Sequence, residues 1–331
     1  MSLETILELF TAHHRTAAVK TGIELDVFTA VGSGVDTTPE LAKRCGAAER
    51  GIRILCDYLT SIGVLTKQGE RYALGADAAA FLDQRSPTYI GSMVMAHAGE
   101  TVLQGLARLT AAVRHGGTIL PEDGVLAPDH PYWAEFARAV APAGRYMGPR
   151  LASLLDVSAG GRMRVLDIAA GHGLYGIAVA MQNPEAEVVA LDWPSVLTVA
   201  REHAAAAGVD DRYRTIPGSV FTAELGEHYD LALLTNCLPD FDSASCEQLL
   251  ARVHAALVPG GRAVALQFVL DDDRTATPAA AYLGLALLAT TPGGENYTFG
   301  ELEQMFRNAG FQHTALHELL PERIVIAHRS P

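Results

Sequence analysis

Two acids and two glycines carry the chemistry that reads most directly from this chain. Asp167 closes the apolar run Val165-Leu166, and Ile168-Ala169-Ala170-Gly171-His172-Gly173 follows before an amphipathic stretch from Leu174 to Met181. That order predicts a buried strand, a tight turn and a helix N-terminus, the layout in which α/β proteins hold nucleotide-like ligands. Nineteen residues after Gly173, Asp192 closes a second apolar run, Val188 to Leu191. A carboxylate there can accept hydrogen bonds from both hydroxyls of a ribose. On spacing alone Gly171, Gly173 and Gly176 match G-x-G-x-x-G, so a dinucleotide stays open. Asp167 weighs against it, because a carboxylate near the mouth of the turn repels a pyrophosphate and attracts a cation.

S-adenosylmethionine, with its sulfonium and ammonium, suits such an acid. The pattern D-x-x-x-G-x-G from Asp167 to Gly173, with Asp192 ending the next strand, resembles the first two motifs of Rossmann-like S-adenosylmethionine-dependent methyltransferases.

The elements around these residues divide the chain in three. From 1 to 85 the pattern is that of a winged helix. A long apolar helix spans Leu3 to Ala30, and Thr38-Pro39-Glu40 starts a short helix that Gly46 stops. A second helix carries Ile52, Leu55, Leu59 and Ile62, and Val64–Lys67 with Arg71–Leu74 form a hairpin. Arg50 and Arg53 sit where a winged helix reads DNA, but the basic flank that would hold phosphates is missing, which favours dimerisation. From 86 to 155 a helical connector carries Met93, Trp133, Phe136, Tyr146 and Met147 as candidates for lining a substrate cavity, and His97 as a candidate base. From 156 to 331 strands and helices alternate, which requires a mainly parallel sheet with crossover helices. The fold class is therefore α/β, a Rossmann-like sheet preceded by a helical winged-helix domain.

Composition narrows the partners. A net charge of −13 argues against nucleic acid, whose phosphates need a basic surface. The four cysteines (Cys45, Cys56, Cys237 and Cys246) form no CxxC pair, so structural thiols in a reducing compartment are expected and no metal site. The N-terminus lacks a signal-like stretch, and Ala279 to Ala289 is too short to span a bilayer. A cytoplasmic protein with no membrane partner is the expectation.

Taken whole, the chain resembles the acetylserotonin and caffeic acid O-methyltransferase type. Asp167–Gly173, Asp192-Trp193-Pro194, Pro259-Gly260-Gly261 and Thr291-Pro292-Gly293-Gly294 carry that resemblance. It implies a homodimer joined through the N-terminal half, a small-molecule methyl acceptor and S-adenosylmethionine as donor. It places Asp167, Gly171 and Gly173 by the methionine part of the cofactor, and Asp192 on the ribose. Trp193 would pack on adenine, and Ser219-Val220-Phe221 would follow, with Ser219 replacing the aspartate usual there. Thr235 and Asn236 would border the methyl group.

One departure changes the mechanism. Phenol-methylating members usually carry a histidine base where this chain reads Leu238-Pro239-Asp240-Phe241-Asp242, and Pro239 holds that position. Gln267 and Asn296 stand near the places of the acids that flank it in plant members. Methyl transfer from a sulfonium is an in-line displacement, in which alignment in a dry site supplies much of the acceleration. A base is needed only when the nucleophile must lose a proton. The acceptor is thus a carboxylate, thioether, amine or carbon, or a hydroxyl served by a substitute base, with Asp240 and His97 the candidates. A contact to the cofactor is expected for His172, which lies within the turn. Two other readings stay open: a cofactor-binding enzyme doing non-methylating chemistry, and a non-catalytic winged-helix regulator.

Overall fold

The computed structural model describes residues 2–159, 161–275 and 278–331, in two compact units, Met1–Gly99 and Glu100–Pro331. The stretch 86–155 contributes helices to both.

In the first unit, Ser2 caps α1 (Leu3–Glu24) by accepting the Thr5 N–H. The single helix expected to Ala30 is broken: Asp26 adopts φ 57° and starts α2 (Val27–Gly32) in a new direction. Gly22 permits the turn, since a Cβ there would lie 2.8 Å from the Phe28 ring. α3 (Thr38–Cys45) and α4 (Glu49–Ser61) follow, and α4 buries Ile52, Cys56 and Leu59, one helical face. The hairpin β1 (Leu65–Gln68) and β2 (Arg71–Leu74) turns at Gly69, and α5 (Ala76–Phe81) and α6 (Val94–Ala98) complete the unit. Phe28, Leu41, Leu65 and Tyr72 join its core. Leu3, Leu7, Leu9 and Phe10 of α1 are left exposed, Leu3 to 73% and Phe10 to 69%. Arg53 is engaged by Asp57 on its own helix.

The second unit opens with α7 (Glu100–Ala107), α8 (Leu109–His115) and α9 (Pro131–Leu154). The sheet then builds from β3 (Met163–Ile168), α10 (Leu174–Gln182), β4 (Ala186–Asp192), α11 (Pro194–Ala207) and β5 (Tyr213–Pro217). After these come β6 (Tyr229–Thr235), α12 (Ser243–Ala256), β7 (Leu257–Gln267), α13 (Pro278–Thr290), α14 (Phe299–Asn308), β8 (Gln312–Leu319) and β9 (Glu322–His328). The seven strands lie in the order β5-β4-β3-β6-β7-β9-β8, parallel except where β9 pairs antiparallel with β7 and β8. Both faces are covered. Leu166, Ile168, Leu234 and Ala265 share a core with residues of α12 and α14, and Val165, Leu233 and Leu266 share one with residues of α9 and α10. That explains why β3, β4 and β6 read as continuous apolar runs. Chain order reverses between β3 and β6, and the crevice at their carboxyl ends is the ligand-binding position of such sheets.

Glycines let α9 approach α10 closely. A Cβ on Gly148 would stand 2.9 Å from the Leu174 carbonyl oxygen and 3.1 Å from the Ala178 Cβ. Gly148→Leu is expected to lower stability by about 1–3 kcal/mol through overpacking. A urea midpoint equal to the parent's would contradict that packing.

Candidate active site

The turn after β3 is built by backbone that few side chains tolerate. Gly171 and Gly173 have φ 56° and 75°. A Cβ on Gly173 would lie 2.5 Å from the Tyr213 hydroxyl and 3.0 Å from the Ala200 Cβ, so only glycine fits. The Gly171 N–H donates to Asp192 Oδ2 at 2.8 Å, tying the turn to the end of β4. His172 is turned inward. Its Nδ1 accepts the Leu174 N–H at 3.1 Å, and its ring lies where a Gly144 side chain would be. Burial pushes its pKa down to about 3. The cofactor contact expected of His172 gives way to a neutral residue that caps α10 beneath α9.

Three carboxyl groups gather at the crevice. Asp192 accepts the Trp193 N–H on Oδ1 at 2.7 Å as well as Gly171 on Oδ2. Burial raises its pKa to about 6 against those two donors, with a smaller push from Asp129. Asp167 is fully buried, and neither of its oxygens has a hydrogen-bond partner. Burial raises it well above the carboxylate range, Asp192 adds to the rise, and the nearby Gly176 N–H gives only partial relief. Asp240 lies on a short 3-10 turn, Leu238–Asp240, just past β6. It keeps some accessible surface yet is deeply enclosed, and burial together with Asp192 pushes it up to about 8. No cation acts on any of the three among the described residues.

Such a cleft is suited to a ligand that brings positive charge and a vicinal diol. The lone pairs Asp192 has left can take two hydroxyls, and the unpartnered Asp167 carboxylate favours an ammonium or sulfonium nearby. A pyrophosphate would meet three acids.

Three aromatic residues gather at the start of α9. Tyr132, Trp133 and Phe136 form one cluster, with ring centroids 5.0 to 5.9 Å apart. Burial, and then Asp240, raise the Tyr132 phenol, so tyrosine and acid are neighbours. Trp133 donates to the Val125 carbonyl at 2.6 Å and packs with Trp193 around Ala137, Val196 and Val199. Phe221 meets Phe241 edge-on at 4.9 Å, Val220 is buried, and Ser219 Oγ accepts the Phe221 N–H at 3.2 Å. Pro239 is buried, its carbonyl oxygen 2.6 Å from where a Gly294 Cβ would stand. Thr235 is buried at the end of β6, and Asn236 beyond it is exposed with φ 53°.

Two expectations end elsewhere. Tyr146 is 58% exposed with the Arg150 guanidinium 3.6 Å over its ring, so it is a surface residue and does not line a cavity. Met147, one position on, points into the core with Leu151 and Ala178. Met93 and His97 belong to the first unit, where Met93 is half-buried and His97 retains exposed surface. Sequence reasoning passed over Tyr132, Tyr213 and Glu322. Glu322 accepts the Asn236 Nδ2–H at 2.7 Å. No local motif marks it, because it reaches the site only through the antiparallel return of β9. Gln267 is buried with neither amide atom hydrogen-bonded. Among the described residues no group of three histidine, cysteine or acidic side chains is placed to hold a metal, and no helix is long and apolar enough to cross a membrane.

Two family descriptions match the chain: an O-methyltransferase domain over residues 129–312 and an O-methyltransferase dimerisation domain over residues 7–84. The chain is 31% identical to the 3-hydroxy-5-methyl-1-naphthoate 3-O-methyltransferase of Streptomyces sahachiroi, over 92% of this chain and 88% of that protein. It resembles the crystal structure of a protein of Nostoc punctiforme provisionally assigned as an O-methyltransferase, with 44% identity, a TM-score of 0.92 and 99% of both chains covered. Human N-acetylserotonin methyltransferase in complex with S-adenosylmethionine shares the fold at 20% identity, with a TM-score of 0.86 over 99% of this chain and 97% of that one.

Proposed function

The chain belongs to the O-methyltransferase family, with both its methyltransferase and its dimerisation domain, and on that premise we propose that it methylates a small aromatic acceptor with Asp240 as the proton-accepting group. It is an S-adenosylmethionine-dependent methyltransferase. The observation that carries the assignment is the trio Asp167, Asp192 and Asp240, three carboxyls raised by burial, with Asp192 adding to the rise of the other two and no cation among the described residues acting on any of them. The dimerisation domain, together with the apolar outer face of α1, supports a homodimer.

When bound, S-adenosylmethionine supplies a methyl group on a sulfur that leaves without a proton. The protein's part is to bind, align and deprotonate. Gly171 and Gly173 let the backbone come close, Asp192 orients the ribose, and Asp167 favours positive charge. Tyr132, Trp133 and Phe136 give an apolar aromatic cluster against which an acceptor ring can pack edge to face. Asp240, beside Tyr132, is the base that Pro239 cannot be. A carboxyl raised to about 8 is better matched to a phenolic proton near pKa 10 than an ordinary carboxylate is.

Incubation with methyl-labelled S-adenosylmethionine and a panel of phenols, carboxylic acids, thiols, thioethers and amines tests the proposal. Release of S-adenosylhomocysteine with a hydroxylated aromatic is expected. Binding without turnover on every member would move the protein to non-methylating chemistry. Separately, Asp192→Ala is expected to weaken S-adenosylhomocysteine binding about tenfold or more, from loss of charge-assisted hydrogen bonds worth roughly 1.5–3 kcal/mol. An unchanged affinity by calorimetry would remove Asp192 from the ribose.

A further inference from the structure

Glu322 reaches the crevice from an unexpected direction. β9 is antiparallel to β7, and Gln267 pairs with Arg323, so Glu322 falls just past the carboxyl end of β7. Its neighbours by alternation, Ile324 and Ile326, lie in the core shared with α9 and α10, as does Val165 by alternation from Asp167. Glu322 and Asp167 therefore stand on one face of the sheet, at the same edge. Tyr175, in the first turn of α10, lies within the electrostatic reach of both.

Asn236 links Glu322 to the cleft. Its backbone N–H donates to the Leu266 carbonyl at 2.7 Å, which carries the chain over the end of β7. Its Nδ2 donates to Glu322 Oε1 at 2.7 Å, and this fixes the amide plane and leaves Oδ1 as an acceptor on an exposed side chain. Asn236 sits at φ 53°, a left-handed conformation that asparagine adopts readily as a single residue. Acceptors outnumber donors around this point: Asn236 Oδ1, the second oxygen of a largely buried Glu322 and both unpartnered oxygens of the fully buried Asp167 stand against the Tyr175 hydroxyl and the Gln267 amide. A group with several N–H donors and a positive charge satisfies such a set.

We infer that Glu322, acting through Asn236, completes a subsite for a primary ammonium group at the carboxyl edge of β6. Glu322 is a positioning residue and Asn236 the contact. The inference rests on the methyl-donor reading, because the aminoacyl tail of the donor carries such a group. An amine on the acceptor is the other source of the same chemistry.

Calorimetric titration separates these sources. S-adenosylhomocysteine carries the tail, and 5′-methylthioadenosine lacks it. Glu322→Gln keeps size and an acceptor for Asn236 while removing charge; Glu322→Leu and Asn236→Ala remove the link. If the ammonium is the donor's, Glu322→Leu and Asn236→Ala lose about tenfold in S-adenosylhomocysteine affinity, Glu322→Gln loses less, and all three stay within about twofold for methylthioadenosine. If it is the acceptor's, both nucleosides bind unchanged, and tryptamine, titrated into the S-adenosylhomocysteine complex, binds the parent and not Glu322→Leu or Asn236→Ala. Unchanged binding of all three probes overturns the inference. So does an equal loss of both nucleosides with a lowered melting temperature, which marks a structural role. A parent protein that binds neither nucleoside fails earlier, at the methyl-donor reading itself.

Discussion

Asp240→Asn is expected to lower kcat/KM for a hydroxylated acceptor by about 10²–10⁴, the usual contribution of a general base. The loss should come with a change in pH profile. The carboxylate takes a proton only when ionised, and burial beside Asp192 holds Asp240 at about 8. The parent's kcat/KM should therefore rise with pH and level off above that value, since this ratio reports groups of the free enzyme. In the asparagine variant the limb should vanish, leaving a low rate that responds only to the acceptor's own ionisation. Cofactor affinity at neutral pH should change little, because an acid raised to about 8 carries little charge there. An acceptor with no proton to lose, such as a thioether, should be methylated by parent and variant at similar rates. A variant that keeps the limb near 8 would show that another group takes the proton.

What the sequence could disclose about this site follows from how local each signal is. The cofactor half is contiguous: an apolar strand, a glycine turn and a helix start follow one another from Met163 to Leu174, and Asp192 ends the next strand. The parallel sheet was legible because strands buried on both faces must be apolar throughout. The break at Asp26 was not, since an aspartate in the left-handed region leaves no mark in a helical pattern. Tyr146 and Met147 show the limit of composition. They are adjacent on α9, so about 100° of helical rotation sends one to the surface and the other into the core. His172 looked functional by position, and its role was decided by Gly144, twenty-eight residues away in sequence. Glu322 needed the full topology, because only the antiparallel β9 brings residue 322 to the edge where β6 ends. Residues fixed by neighbours in sequence were readable, and those fixed by neighbours across the sheet were not.

Asp167→Asn is expected to trade binding for stability, and the sign of the trade follows from proton linkage. An aspartate in the unfolded chain titrates near 3.9, whereas in the folded protein burial lifts Asp167 well above that value. The folded state thus prefers the protonated acid, and this preference contributes fully below the unfolded pKa and is lost as pH rises through the folded one. Asp192 at about 6 and Asp240 at about 8 act in the same direction. The ligand-free protein should therefore melt at a lower temperature at pH 8 than at pH 5. Asparagine fills nearly the same volume and carries no charge to bury, so the variant should show a shallower decline and melt at or above the parent at pH 8. Binding should move the other way. Removing one member of a buried charge pair costs about 3–5 kcal/mol, so S-adenosylhomocysteine affinity should fall about 10²-fold or more. With ligand at saturation the parent should regain at pH 8 what it lost, because a bound positive charge lets Asp167 ionise without penalty. If the variant melts lower than the parent at pH 8 while binding the nucleoside equally well, Asp167 is a structural acid. The pull of the crevice on a cation then comes from Asp192.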